Sequence, residues 1–232
     1  MDMGADLVGF ADISRNDNKD AISKEFHHYK IAVAVGKKLH KFKNPEDETR
    51  TLDEHGHTLA YMRENEDITL KLKEIVDAAT RFLRKRGFKC MAIPPVDVSQ
   101  ERRFISALYV LFSHRMAVTM AGLGWIGKNA MVINGEYGPN LVWATILTDA
   151  ELTASPPQLE SMCGQCRLCQ DSCPVGAIYG LNWSRFKGDE AIIDVENCQR
   201  YMQTNSDKYG RPVCGICFMA CPVGVKKTRK GK

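Results

Sequence analysis

Two groups of cysteines in the last third of the chain have the types and spacing of iron–sulfur ligands. The first group, CGQCRLCQDSCPVGAI, contains a complete C-x2-C-x2-C-x3-C-P pattern formed by Cys163, Cys166, Cys169, Cys173 and Pro174. In this pattern the first three cysteines bind one four-iron cluster and the fourth reaches a different cluster. Zinc binding would explain a CxxC pair, but not the third and fourth cysteines or the CP step. The spacing therefore predicts two 4Fe-4S clusters.

The second group, VCGICFMACPVGV, has three cysteines where four would be needed. By the same exchange of ligands, Cys221 belongs with the first three cysteines of the first group. The other cluster then lacks one ligand, and Cys198 is the remaining cysteine of this region. The predicted ligand sets are Cys163, Cys166, Cys169 and Cys221 for one cluster, and Cys173, Cys198, Cys214 and Cys217 for the other.

The cysteine usage also indicates a compartment. Eight of the nine cysteines lie in the last 70 residues, a density that indicates metal binding in a reducing cytoplasm. No run of about 18 apolar residues is present, and the N-terminus, MDMGADLVGF, lacks a basic signal region. We therefore expect a cytoplasmic protein with no membrane segment. The ninth cysteine, Cys90, lies in an apolar stretch and is expected to be a buried core thiol.

The charge gives little reason to expect a nucleic-acid-binding protein. The chain has 232 residues and a formal net charge of +4, which two thiolate-ligated clusters of about −2 each would bring near zero. The terminal KKTRKGK, residues 226–232, is locally basic. We expect it to be a solvated terminus, with contact to RNA or an acidic partner as the alternative.

The elements before the cysteines indicate a mixed α/β domain. Residues 51–86 have helical periodicity, with Leu72, Val76 and Phe82 on the apolar face and Gly87 as a stop signal. Part of 101–122 is also expected to be helical. The predicted strands are 5–13, 29–36, 88–95, 130–134 and 141–149, the last two joined by the turn GEYGP.

A proline-containing linker, ELTASPPQLES, separates this domain from the cysteine-rich region. The expected domains are 1–155 and 156–232. The second is a small module in which metal binding supplies the folding energy that a thin core cannot.

The stretch AGLGWIGKN, residues 121–129, resembles two nucleotide-binding patterns. It fits G-x-G-x-x-G, but a strand-like segment follows it where a helix should begin. It also fits G-x-x-x-x-G-K, but Asn129 stands where a P-loop needs Ser or Thr. We therefore expect a glycine turn at which the backbone closely approaches a flat ligand or a cluster.

Several of these segments resemble the epoxyqueuosine reductase and reductive dehalogenase superfamily. The resemblance rests on AGLGWIGKNAMVINGEYGPNLVWATILTDAEL, on CGQCRLCQDSCPVGAI and CGICFMACP, and on the start GADLVGFADIS. It implies an α+β protein in which a nitroreductase-like α/β domain is followed by a ferredoxin-like module with two 4Fe-4S clusters. It further implies a bound corrinoid, cobalamin, whose cobalt is reduced by the clusters. Residues near the glycine turn would then bind this cofactor: Gly122, Gly124, Trp125, Gly127, Lys128, Asn129 and Tyr137.

The catalytic residue is left open among three candidates. Tyr109, His114 and Asp97 could supply a proton, and each has a structural alternative: core aromatic, satisfied core histidine and helix cap, respectively. For Trp125 the alternative is core packing, and for Lys128 it is exposure to solvent.

The resemblance implies reductive cleavage of a C–O or C–halogen bond in a small molecule or a modified nucleoside. Electrons would come from a low-potential donor of the ferredoxin or flavodoxin type. The alternative is an electron-transfer protein that does no substrate chemistry and passes electrons to a partner, such as a corrinoid protein.

Overall fold

The computed structural model describes residues 3–14, 22–39, 54–95, 112–185, 192–210 and 212–224. In the helix that begins at residue 54, side chains are described from Tyr61 onward. Its contacts divide the chain into two compact units. The first comprises Met1–Lys38, Asn65–Trp125 and Leu141–Leu159, and the second comprises Leu39–Glu64, Ile126–Asn140 and Glu160–Lys232. The expected boundary at 155/156 lies close to the one at Leu159. However, two earlier segments join the second unit, so the units are not consecutive along the chain.

An antiparallel sheet of four strands forms the framework of the first unit. The strands are β1 (Leu7–Asp12), β2 (Ile31–Lys38), β3 (Cys90–Ile93) and β6 (Leu141–Thr148), in the order β1-β2-β6-β3. All eight residues of β6 are buried, as are the first six of β2, because these are the central strands. The four strands expected from their apolar runs are confirmed, and Cys90 is the buried core thiol expected.

The helix expected over 51–86 is confirmed as α1 (Glu54–Lys85). Leu72 and Val76 are fully buried, whereas Phe82 is 37% exposed and stacks under the guanidinium of Arg86. Phe82 thus belongs to the apolar face by its spacing but is only partly covered. Gly87 follows the helix with a φ of 87°, a left-handed conformation that glycine adopts without strain. No helix among the described residues is long and apolar enough to cross a membrane.

The second described helix of the first unit, α2 (His114–Met120), packs against β1, β2 and β6. Its first residue, His114, is buried with both ring nitrogens in hydrogen bonds. Nε2 lies 2.9 Å from the Pro94 carbonyl, and Nδ1 lies 2.8 Å from the Thr145 hydroxyl. Because a carbonyl only accepts, Nε2 carries the proton and Nδ1 accepts from Thr145. His114 therefore joins three segments of the core.

The second unit contains short elements. A two-stranded sheet is formed by β4 (Trp125–Ile126) and β5 (Val132–Ile133). The division between the two units falls between Trp125 and Ile126. The helices are α3 (Leu168–Asp171), α4 (Val195–Thr204), α5 (Ser206–Tyr209) and α6 (Ile216–Met219). The strands expected on either side of GEYGP exist, but they belong to different sheets. The expected turn instead closes on itself through a bridge between Asn134 and Gly138.

This turn packs closely against the residues that follow Cys221. A Cβ on Gly138 would overlap the Val223 carbonyl, and one on Gly224 would overlap the backbone of Tyr137. Both glycines also have positive φ, 60° and 79° respectively. Two backbone segments can approach this closely only if positions 138 and 224 lack a side chain.

We expect Gly138→Ala to destabilise the second unit by at least about 2 kcal/mol, because the new Cβ is strained by φ and overlaps backbone. The matched control is Gly135→Ala in the same turn, where φ is not positive and a Cβ would meet nothing within 4 Å. Thermal unfolding under anaerobic conditions measures both. Equal melting temperatures for the two variants would contradict the close approach.

Burial lowers the pKa of His114 from 6.5 to about 4. The unfolded chain therefore takes up this proton first as the pH falls. The contribution of His114 to stability is complete above about pH 6.5 and is lost as the pH falls through about 4. It is worth roughly 3 kcal/mol. A histidine NMR titration should show His114 neutral at pH 5.5, and a midpoint near pH 6.5 would contradict this burial.

Candidate metal centre

The first predicted ligand set lies on one loop and one helix of the second unit, together with a residue from much later in the chain. Cys163 and Cys166 belong to a turn in which the Cys166 amide donates to the Cys163 carbonyl at 3.1 Å. Cys169 lies in the short helix α3, which packs against α6, and Cys221 follows α6. This packing explains how a residue about 50 positions away in sequence approaches the first group.

The second predicted set depends on α4. The carboxylate of Asp194 accepts a hydrogen bond from the Asn197 amide at 2.9 Å, which caps the helix one turn before Cys198. The side-chain amide of Asn197 donates to the Val175 carbonyl at 2.8 Å, and Val175 lies just after Cys173. The cap and this bond together fix Cys198 relative to the loop of Cys173.

The other end of α4 is attached to the third part of this set. The side-chain amide of Asn205 donates to the Val213 carbonyl at 2.7 Å, immediately before Cys214. In addition, the Ala177 amide donates to the sulfur of Cys173 at 3.3 Å. Helix α4 thus connects the segments on both sides of it that carry the remaining cysteines.

The electrostatics of the thiols follow the same grouping. Burial raises the pKa of Cys169, and the neighbouring thiols of Cys163, Cys166 and Cys221 raise it further. Burial likewise raises the pKa of Cys198, followed by Cys214, Cys173 and the Asp194 carboxylate. Neighbouring thiols thus add to burial in disfavouring the thiolate forms of Cys169 and Cys198, and a bound metal centre would have to stabilise those forms.

Thiols of both predicted ligand sets affect Cys217. Burial raises its pKa to about 12, and the contributing thiols are Cys214, Cys169, Cys198 and Cys173. Three of these belong to its own predicted set and one to the other set. The two groups of thiols are therefore neighbours within the second unit.

Among the described residues, no group of three or more His, Cys, Asp or Glu side chains converges closely enough to hold a single metal ion. A 4Fe-4S cluster places its own iron and sulfide between the thiolates. Its ligands therefore surround a volume and do not meet at a point. Cluster binding is therefore judged by which thiols lie near one another, and not by whether they meet at one point.

The turn between β4 and β5 presents two side chains to the cysteine loops. Lys128 is 5% exposed, and its ammonium donates to the Cys166 carbonyl at 3.0 Å. Asn129 is also 5% exposed, and its side-chain amide donates to the Cys217 carbonyl at 3.3 Å. The alternative that Lys128 faces solvent is wrong, because its ammonium is buried in this hydrogen bond.

The glycines of this stretch make close backbone contacts within the protein. A Cβ on Gly122, whose φ is 68°, would overlap the Pro156 carbonyl, and one on Gly127 would lie 2.8 Å from Asn129 Oδ1 and Ile133 Cγ1. Gly124 is buried. The stretch contains β4 and is followed by β5 and not by a helix, which confirms that neither nucleotide-binding pattern has its structural context.

Trp125 is 7% exposed, and its indole N–H has no hydrogen-bond acceptor among the described residues. Tyr137 is half-buried, and its amide donates to the Asn134 side chain at 3.0 Å. These contacts leave the expected corrinoid roles of the glycine-turn residues as predictions.

The three catalytic candidates differ in what the structure describes. Asp97 and Tyr109 lie outside the described residues, as does the basic tail. His114 has both ring nitrogens bonded within the core of the first unit, so its structural alternative is favoured and we propose no catalytic role for it.

Sequence reasoning missed the asparagines that attach α4 and the glycine contact behind Cys221. One signal was present, because the tetrapeptide CPVG occurs twice, at 173–176 and at 221–224. Its glycines, Gly176 and Gly224, both have positive φ, so each CPVG makes a similar turn away from its cysteine. The asparagines carried no such signal, because their partners are distant in sequence.

Comparisons with known proteins agree with the cysteine pattern. Residues 162–225 match the family described as the 4Fe-4S dicluster domain. The chain is 32% identical over 175 residues to the epoxyqueuosine reductase of Gloeobacter violaceus, which is 69% of this chain and 46% of that protein. It is 29% identical over 159 residues to the epoxyqueuosine reductase of Bacillus subtilis, 67% of this chain and 38% of that protein. The chain thus spans less than half the length of these curated relatives.

Solved structures share the fold. A crystal structure of epoxyqueuosine reductase with an epoxyqueuosine-modified tRNA-Tyr stem loop has a TM-score of 0.60 at 20% identity, covering 97% of this chain and 63% of that one. A reductive dehalogenase whose structure suggests a mechanism for B12-dependent dehalogenation has a TM-score of 0.65 at 17% identity, covering 97% and 31%. The expected resemblance is confirmed: the chain is homologous to the epoxyqueuosine reductases, shares a fold with a reductive dehalogenase and carries a 4Fe-4S dicluster domain.

Proposed function

We propose that this chain is an iron–sulfur reductase that passes single electrons through two 4Fe-4S clusters to a bound corrinoid. The observation that carries the proposal is the packing of α3 against α6 and the attachment of α4 to the segments of Cys173 and Cys214, which bring the cysteines of the dicluster region together. The ligand sets are those predicted, Cys163, Cys166, Cys169 and Cys221, and Cys173, Cys198, Cys214 and Cys217.

The buried ammonium of Lys128 supports the presence of an anionic cluster. Its hydrogen bond is to the neutral carbonyl of Cys166, and no carboxylate of the described residues forms an ion pair with it. A buried cation without a counter-charge is costly. A thiolate-ligated cluster of net charge about −2 beside Cys166 would supply that charge.

The proximity of the two groups supports electron transfer from one cluster to the other. Cys169 of one set is near enough to Cys217 of the other to contribute to the raised pKa of Cys217. A cluster accepts one electron at a time, so two clusters can deliver the electron pair that a reductive cleavage consumes. We propose a low-potential donor of the ferredoxin or flavodoxin type, and a cytoplasmic location, because clustered free cysteines persist in a reducing environment.

The unpartnered indole N–H of Trp125 supports the corrinoid part of the proposal. A buried donor without an acceptor is rare, and a polar group of a ligand would satisfy it. We propose that Trp125 donates to the corrinoid and that the first unit is the nitroreductase-like domain expected from the resemblance. A corrinoid bound there would supply a low-potential cobalt centre for cleavage of a C–O or C–halogen bond.

The substrate class follows from the relatives. Both curated relatives are epoxyqueuosine reductases, and one related structure contains an epoxyqueuosine-modified tRNA stem loop. We propose a modified nucleoside in RNA as the substrate. Removal of an epoxide oxygen as water takes up an electron pair and a pair of protons, and the clusters would supply the electrons. Contact between RNA and the basic residues 226–232 remains a prediction.

The ligand assignment is tested by Cys198→Ala, matched with Cys90→Ala. Anaerobic reconstitution with iron and sulfide should give about eight iron per chain for the unaltered protein and about four for Cys198→Ala. Cys90→Ala should keep about eight, because Cys90 is a buried core thiol bonded to the Thr80 carbonyl. If Cys198→Ala retains as much iron as Cys90→Ala, the second ligand set is wrong.

The reaction is tested with the reconstituted protein incubated with hydroxocobalamin and then desalted. We expect about one cobalt retained per chain. With a chemical reductant and an epoxyqueuosine-containing stem loop, mass spectrometry should show loss of one oxygen from the nucleoside. Full iron content without retained cobalt would contradict the corrinoid proposal and leave an electron carrier.

A further inference from the structure

The turn formed by Gly127–Met131 has a feature that cluster ligation alone does not require. Two consecutive side chains, Lys128 and Asn129, donate to the carbonyls of cysteines from the two different predicted ligand sets. The turn is held tightly by bonds from the Gly127 amide to the Met131 carbonyl at 2.8 Å and from the Ala130 amide to the Gly127 carbonyl at 2.9 Å. Ala130 has a φ of 60°, a strained conformation for a residue with a Cβ.

The two side chains differ in charge, although their contacts are alike. Asn129 is neutral and also accepts a bond from the Met131 amide, so it stabilises the turn. Lys128 places a full positive charge, 5% exposed, against the loop of Cys166. At such a site solvent screens the charge poorly, so its field on nearby groups is strong.

From this geometry we propose that Lys128 is a positioning and tuning residue. It orients the Cys166 loop through its hydrogen bond and raises the reduction potential of the cluster bound by Cys163, Cys166, Cys169 and Cys221. Uptake of an electron makes a cluster more negative, and a fixed cation nearby favours the reduced form. The second cluster, served by the neutral Asn129, receives no comparable effect. This inference rests on the proposed pair of clusters. Its test distinguishes failure of the tuning role from failure of the two-cluster proposal.

The test compares Lys128→Gln with Lys128→Arg, which keeps the charge, and with Arg167→Gln. Arg167 adjoins Cys166 in sequence, but its side chain is 66% exposed and pairs with Asp171 at 3.4 Å. Arg167→Gln therefore removes the same charge from a solvent-screened position of the same loop. Each reconstituted protein is assayed for iron and then titrated anaerobically, with the reduced clusters followed by EPR.

We expect Lys128→Gln to lower one of the two midpoint potentials, disfavouring reduction of that cluster at least about tenfold, equivalent to about 59 mV for one electron. The other potential should change much less. Lys128→Arg should retain most of the original value, and Arg167→Gln should shift it by less than Lys128→Gln. Lys128→Gln could instead lose the cluster bound by Cys163, Cys166, Cys169 and Cys221, and its iron content would then fall by about four atoms per chain. If Lys128→Arg keeps about eight, this loss also supports a requirement for positive charge at position 128.

Other results would contradict the tuning role or the proposed function. Unchanged potentials in Lys128→Gln with full iron content would overturn the tuning role and leave the proposed function intact. Equal shifts of both clusters, or equal effects of Lys128→Gln and Lys128→Arg, would also overturn it. Four or fewer iron atoms in the unaltered protein would instead overturn the proposed two-cluster function itself.

Discussion

The crowding of cysteines is the constraint on which the second unit depends, because burial and neighbouring thiols disfavour the thiolate form of Cys169, Cys198 and Cys217. The protein brings these groups together with little apolar core to compensate. Helices α3, α4 and α5 have no buried residues, and the module's described core consists of a few side chains such as Ile178, Val213 and Phe218. Under the proposed function, a bound cluster would add stability that so thin a core does not supply.

The local structure of the unit meets this constraint with polar contacts. Asp194, Asn197 and Asn205 fix α4 between segments that carry three of the cysteines. Lys128 adds the opposite charge where the thiolates would concentrate negative charge. The first unit contrasts with this arrangement, because its central strand β6 is wholly buried and its stability comes from apolar packing.

Sequence analysis could predict the features that local patterns encode. The cysteine spacing predicted a 4Fe-4S domain, which the family match confirms, and apolar periodicity located α1 and the main strands. The exposure of Phe82 was missed, because a helix face shows which residues are apolar but not how far the packed surface extends. The burial of Lys128 was missed for a related reason, since a lysine is buried only where a partner distant in sequence compensates it.

The discontinuity of the second unit affects how the chain can fold during synthesis. Residues 126–140, which carry Lys128, Asn129 and Gly138, leave the ribosome before β6 and before every cysteine of the two predicted ligand sets. Their partners Cys166, Cys217 and Val223 are all made after β6, which is the last strand of the first unit's sheet to be made. A fragment beginning at Glu160 would contain every predicted ligand, yet it would lack the turn that secures two of them. The ligand-bearing region is thus not separable from residues 126–140, and under the proposed function a cluster would be inserted only after both parts had been made.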